Sequence, residues 1–198
     1  MKRFICIILI SAAITGCTSQ ESNEWKRIRA SHSIEEFESY LITHPTSIHI
    51  EEIIDSLRFL WSDTIIWHSP HHPLNIYLDQ EGRVYFRDHI VNERQLIEKI
   101  IEWVTNPSNS ANMPGKRGEI IEGIGEFNVS TATIYMRASE EYNHNQYSEV
   151  ILTIIEAIRI LREDLSQYVF SKEYERLNAV EKLSIDHAYP LQIHFEKD

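Results

Sequence analysis

Cysteine is almost missing from this chain: Cys6 and Cys17 are the only two among 198 residues. A framework of internal disulfides is therefore excluded. Positive charge is also short, with 19 Lys and Arg against 30 Asp and Glu, a formal net charge of −11. Such a surface repels phosphate backbones, so nucleic acid is not expected as a partner. No apolar run approaches the roughly 20 residues that a spanning helix needs. The longest, Phe4 to Ile14, follows the basic start Met1-Lys2-Arg3 and contains no acid. No P-loop, Gly-x-Ser-x-Gly elbow or His-Glu-x-x-His motif is present, which removes the commonest sequence signatures of nucleotide hydrolysis, acyl transfer and zinc proteolysis.

What is present begins with that leader. A basic start and a short apolar core make a signal peptide over residues 1–16. It ends in Ile14-Thr15-Gly16-Cys17, which resembles the bacterial lipobox, where the cysteine is lipidated and becomes the new N-terminus. Cys17 would then be the only thiol of the mature chain, and its acyl chains would anchor the protein to a bilayer without a spanning helix. Loss of Lys2 and Arg3 leaves 17 basic groups against 30 acidic ones. Thr18, rather than Asp, after the cysteine favours the outer membrane, with the chain facing the periplasm.

The hydrophobic content of 42% and charged content of 25% are those of a folded domain. After a polar tether over residues 17–22, a helical pattern runs over 23–62. Ser33-Ile34-Glu35-Glu36 has capping-box spacing, with Phe37, Tyr40 and Leu41 on one face; Ile50, Ile53, Ile54, Leu57 and Leu60 make the next helix. The pair resembles one unit of a tetratricopeptide-type helical hairpin. A single unit cannot bury its own face, so it is expected to pack on the next domain or a partner. Residues 63–72 read as a linker. Within it, His68, His71 and His72 have the residue type for zinc or copper, but no cysteine accompanies them and prolines flank the pair; no metal and no cofactor are expected. The paired carboxylates Glu51/Glu52 and Glu140/Glu141 read as solvated surface.

At Leu74 the period changes to two. Leu74, Ile76 and Leu78 alternate with Asn75 and Tyr77, Asp79-Gln80-Glu81-Gly82 is a turn, and Val84 and Phe86 alternate with Tyr85 and Arg87. Asn92, with Gln95 in the capping-box position, starts a helix whose apolar face is Leu96, Ile97, Ile100, Ile101 and Val104. Residues 105–131 read as a loop-rich insertion, mobile or in contact with a partner, with Gly125 to Val129 as a short edge strand. Thr133 to Ala138 is the third strand. The amphipathic stretch from Tyr147 carries Val150, Ile151, Ile154, Ile155, Ile158, Leu161 and Leu165 on one side, with Glu156, Arg159, Arg162 and Glu163 on the other. After a second helical segment, Pro190 stops the helix and Leu191, Ile193 and Phe195 alternate as a strand. The expected fold is α+β: a small antiparallel or mixed sheet in the order strand, strand, helix, strand, helix, strand, helices on one face, preceded by the helical hairpin.

That order over residues 73–198 resembles the periplasmic domain of the ExbD/TolR family of biopolymer transport proteins. The hairpin Ile76 to Val84 is similar to the family's opening strands, and Thr133 to Ala138 followed by Tyr147-Ser148-Glu149-Val150 to its central strand and helix start. The ending, Arg162-Glu163-Asp164-Leu165, Phe170 to Glu175, Leu177 and Tyr189-Pro190-Leu191-Gln192-Ile193, resembles that of Bacteroidetes-type members. The resemblance implies a non-enzymatic, dimerising module that contacts TonB/TolA-like or ExbB/TolQ-like proteins. Members carry a spanning helix with an acidic residue that takes part in proton-driven motion; the leader here is short and acid-free, so this chain should not carry protons itself. The expected pairing edge, for a partner strand or a second copy, is Leu191, Gln192, Ile193, His194 and Phe195. Two other roles are weighed beside it: a scaffold of an envelope lipoprotein complex that docks through the helical hairpin, and a metal-dependent enzyme using the histidine cluster.

Overall fold

The computed structural model describes residues 23–44, 47–49, 52–57 and 72–196. The leader, Cys17, the tether, His68 and His71 lie outside these residues, whereas His72 lies within them. The chain divides into two units, Met1–Leu60 and Trp61–Asp198.

In the first unit three helical segments are described: α1 (23–31), α2 (Ile34–Thr43) and α3 (52–57). The Ser33 hydroxyl accepts from the Glu36 backbone N–H at 3.3 Å, so the cap read from the sequence starts α2. The two helices of the hairpin are thus preceded by a third helical segment. Trp25 of α1 packs against Phe37 and Tyr40 of α2, with ring centroids 6.0 and 5.8 Å apart, and stacks on His49 at 5.0 Å. Apolar surface of α2 is therefore covered within its own unit, which the hairpin reading had assigned to a neighbouring domain or partner.

The second unit is built on a five-stranded sheet in the order β3-β2-β1-β6-β7. Its members are β1 (Leu74–Leu78), β2 (Val84–Phe86), β3 (His89–Val91), β6 (Ile134–Ala138) and β7 (Ile193–Glu196). The β1, β2 and β3 strands form an antiparallel meander, and β1-β6-β7 are mutually parallel. The mixed sheet follows from connection length. Asp79 to Arg83 suffices for a hairpin, whereas the parallel pairs are joined by long crossovers through α4 (Glu93–Thr105) and then α5 (His144–Phe170) with α6 (Ala179–Ala188).

Both α4 and α5 cover the same face. Register places Phe86, Ile76, Met136 and Phe195 in one row across four strands. Trp103 of α4 meets Phe86 edge-on at 6.3 Å, and Tyr147 of α5 meets Phe195 at 6.3 Å. Leu74, Ile76, Leu78 and Met136 are fully buried beneath them, with Ile100, Ile151 and Ile154 from above. Burying one such side chain contributes about 1.5–3 kcal/mol.

The insertion at 105–131 differs from its sequence reading. It forms a hairpin of its own, β4 (Lys116–Ile121) with β5 (Gly125–Ser130), and these strands pair with each other rather than at the edge of the main sheet. The inward face of the hairpin, Ile121, Phe127 and Val129, packs with Leu165, Leu177, Ile185 and Tyr189 into a second apolar cluster. The preceding loop is fastened by Asn106, buried at the end of α4 in a left-handed conformation with φ 36°. Its amide donates to the Ser110 and Pro114 carbonyls at 3.1 and 3.0 Å and accepts from the Ser110 N–H at 2.8 Å. Every face of that amide is in use.

Arg162 is a further correction. The sequence placed it on the solvent side of α5; it is buried, 9% exposed. Its Nε donates to the Tyr189 carbonyl at 3.1 Å and lies 3.2 Å from Asp186 Oδ1, which also accepts from the Tyr174 hydroxyl at 2.6 Å. The helical period was read correctly, but the hairpin cluster and α6 widen the covered arc of α5 beyond what the main sheet alone requires. Glu156 and Arg159 do pair on the exposed side, at 2.6 and 2.7 Å. Glu163 turns instead to Gln167 and the Tyr174 N–H.

Candidate interaction surface

The terminal strand lies where the sequence reading needs it, at one end of the sheet, with β6 as its neighbour on one side. Its five candidate residues divide by function. Leu191 and Gln192 precede β7, which runs Ile193–Glu196 rather than from Leu191. Leu191 and Ile193 are buried and belong to the core. The Gln192 carbonyl accepts from the Ile134 N–H at 2.9 Å, which locks the register, and the Thr133 hydroxyl donates to its side-chain oxygen at 3.4 Å. Because backbone direction alternates along a strand, the Ile193 N–H and C=O turn away from β6, toward the edge. Phe195 leans on Tyr147 of α5, while His194 points to the opposite sheet face and stacks on Tyr135 at 5.0 Å.

That opposite face was not assembled by the sequence reading. Register aligns Ile90, Tyr85, Tyr77 and Arg137 across β3, β2, β1 and β6, with Asn75, Tyr135 and His194 in a second row. Tyr77 and Tyr85 rings lie 6.0 Å apart, and Ile90 is 60% exposed. Both α4 and α5 lie on the other side of the sheet. The alternation of these residues was visible in each strand; their union into one aromatic face depends on strand order, for which no local signal exists.

The acidic-glycine turn at the far end of β1 is internally satisfied. Asp79 accepts from the Arg83 N–H at 2.8 Å, from Arg83 Nε at 2.6 Å and from the Tyr85 hydroxyl at 3.2 Å. Burial pulls its carboxyl upward, but the hydrogen bonds from Arg83 and Tyr85 outweigh this and hold it below the ordinary aspartate value. Gly82 at φ +80° closes the turn, with the Gln146 side chain occupying the space that a Cβ would need. These contacts tie the turn to the first turn of α5.

The hairpin carries a titrating latch. His187 of α6 and Glu119 of β4 meet at 2.7 Å, and Arg117 Nε donates to the same carboxylate at 2.6 Å. The bond to His187, followed by that to Arg117, holds Glu119 below the ordinary glutamate value. A lowered folded-state value stabilises above the unfolded value, and that contribution is lost as pH falls through the folded one. Glu119→Gln is therefore expected to flatten the acid limb of stability. Amide exchange in residues 116–130 from pH 6 to pH 3 checks this: the wild-type hairpin should lose protection more steeply than the variant, and equal slopes would contradict the latch.

No group of three or more His, Cys, Asp or Glu able to hold a metal occurs among the described residues. His72, the one member of the histidine cluster described, lines a cleft with the 106–116 loop. No helix among the described residues is long and apolar enough to cross a membrane. Fold and surface together define a small α+β domain with a one-sided helical layer, an edge strand at the end of its sheet and an aromatic opposite face. The chain matches no protein-family model, no curated protein and no solved structure.

Proposed function

We propose that this chain is a non-enzymatic, lipid-anchored envelope protein whose second unit is an ExbD/TolR-like interaction module of a Ton- or Tol-like biopolymer transport system, without a proton-carrying spanning helix. The observation that carries the reading is the position of β7: a terminal strand at the end of a mixed sheet offers main-chain pairing to an extended partner segment. The order of strands and helices after Leu74 supports it, because it follows the order on which the family resemblance rests. The aromatic face beside β7 supplies Tyr135 and His194 to side chains of a strand added there. The partner is a TonB/TolA-like transducer or an ExbB/TolQ-like motor protein, or a second copy of the chain. Cys17 holds the module at the outer membrane, facing the periplasm.

Photo-crosslinking tests this. A photoreactive residue replacing His194 in the full chain should capture a transducer, a motor component or a second copy in its own envelope. The same residue replacing Ile90, on the three-residue strand at the other end of the sheet, should capture several-fold less. Equal yields from both edges, or no envelope partner from either, would overturn the proposal.

A further inference from the structure

An open cleft of about 620 Å³ lies between the 106–116 loop and the start of β1. The size is that of small-molecule sites. Met113, Pro114 and Ala111 give it an apolar wall, and Asn109, Ser110, His72 and Lys116 give it donors. Among the described residues, the lining contains no carboxylate, although the chain carries 30.

Lys116 stands apart from most cations of its unit. Arg83, Arg94, Arg117, Arg159, Arg162, Lys172, Arg176 and Lys182 each reach a carboxylate, and Arg87 and Lys99 lie over aromatic rings. Among the described residues, Lys116 has neither kind of neighbour, and it lines the cleft. The walls are fixed before any ligand arrives. Asn106 holds the loop by three hydrogen bonds, and Thr131 is bound to the Gly115 carbonyl through its N–H at 3.0 Å and its hydroxyl at 3.1 Å. Little ordering is left to oppose binding.

The geometry points to a binding site for a small organic oxyanion. Lys116 holds the anionic head as a point charge, Ser110 and His72 supply hydrogen bonds, and the carbon skeleton of the ligand lies on Met113 and Pro114. A glyceryl phosphate has this chemistry, either as a free solute or as a lipid headgroup.

Amide resonances of Gly115 and Thr131 in the full chain, held in an uncharged detergent, report on the site. Titration with glycerol 3-phosphate is the soluble arm; phosphatidylglycerol against phosphatidylcholine bicelles is the lipid arm. Saturable shifts in either arm are expected, and the responding arm identifies the source. Lys116→Glu should weaken the response at least tenfold and Ser110→Ala severalfold. Arg94→Glu, the same charge change on the exposed face of α4, should leave it within twofold. Absence of saturable shifts in both arms, or equal losses in Lys116→Glu and Arg94→Glu, would overturn the site.

Discussion

Asn106→Ala is expected to destabilise the second unit by about 3 kcal/mol, because it strands the buried Pro114 carbonyl and the Ser110 N–H, and each unsatisfied group costs roughly 1–3 kcal/mol. The amide of Asn106 donates to Ser110 and Pro114 and accepts from the Ser110 N–H, all within a loop that has no regular structure to replace them. At this chain length the loss corresponds to a fall in Tm of roughly 6–12 °C. A second contribution comes from the left-handed backbone at Asn106, which alanine tolerates less well than asparagine. Asn106→Gly separates the two. Glycine removes the backbone strain but not the lost hydrogen bonds, so it should recover less than about 1 kcal/mol of the deficit. Urea unfolding of the three proteins, with amide exchange across residues 107–116, is the measurement. A glycine variant as stable as wild type would mean that the side chain does not hold the loop. The same variants should weaken the cleft, since Lys116 follows directly on the loop that Asn106 fixes.

The second large effect is expected at Arg162. Arg162→Met keeps the length and apolar stem of the side chain while removing the cation that faces Asp186 and the donor that holds the Tyr189 carbonyl. Removing one member of a buried ion pair costs about 3–5 kcal/mol, because the partner charge is left uncompensated. Here Asp186 retains the Tyr174 hydroxyl and its side chain is 17% exposed, so about 2–3 kcal/mol is expected. Arg162→Met/Asp186→Leu, which removes both charges, should recover most of that loss. The position gives the network a functional consequence. Tyr189 precedes Pro190 and the residues that lead into β7, so the Tyr189 carbonyl is where α5 fixes the approach of the terminal strand to β6. Arg162→Met should therefore lower crosslinking from position 194 as well as stability. A variant within 0.5 kcal/mol of wild type in urea unfolding would leave the network without the anchoring role.

Much of the fold could be read locally. The period-two runs of β1, β2 and β6, the Asn92/Gln95 capping box, the α5 stripe and the stop at Pro190 each appear in the structure within a few residues of their expected bounds. The exceptions share a cause. In β4, Lys116-Arg117-Gly118-Glu119-Ile120-Ile121, only Ile121 is buried, so no alternation announces a strand. His89–Val91 is three residues long, too short to show a period. Asn143 caps α5, so the helix begins at His144, ahead of the amphipathic stretch read from Tyr147.

The sequence by itself determined the class of this protein: an α+β unit after a helical one, an acidic surface, and no framework of disulfides. These follow from composition and from the two periods, 3.6 and 2, which are properties of neighbouring residues. Tertiary structure decided which strands adjoin. That placed β7 at the sheet end, joined Tyr77, Tyr85, Tyr135 and His194 into one face, buried Arg162, and brought Lys116 and His72 to one cleft. Each of these unites residues tens of positions apart. Their meeting depends on how crossovers and cores pack, which no local pattern encodes.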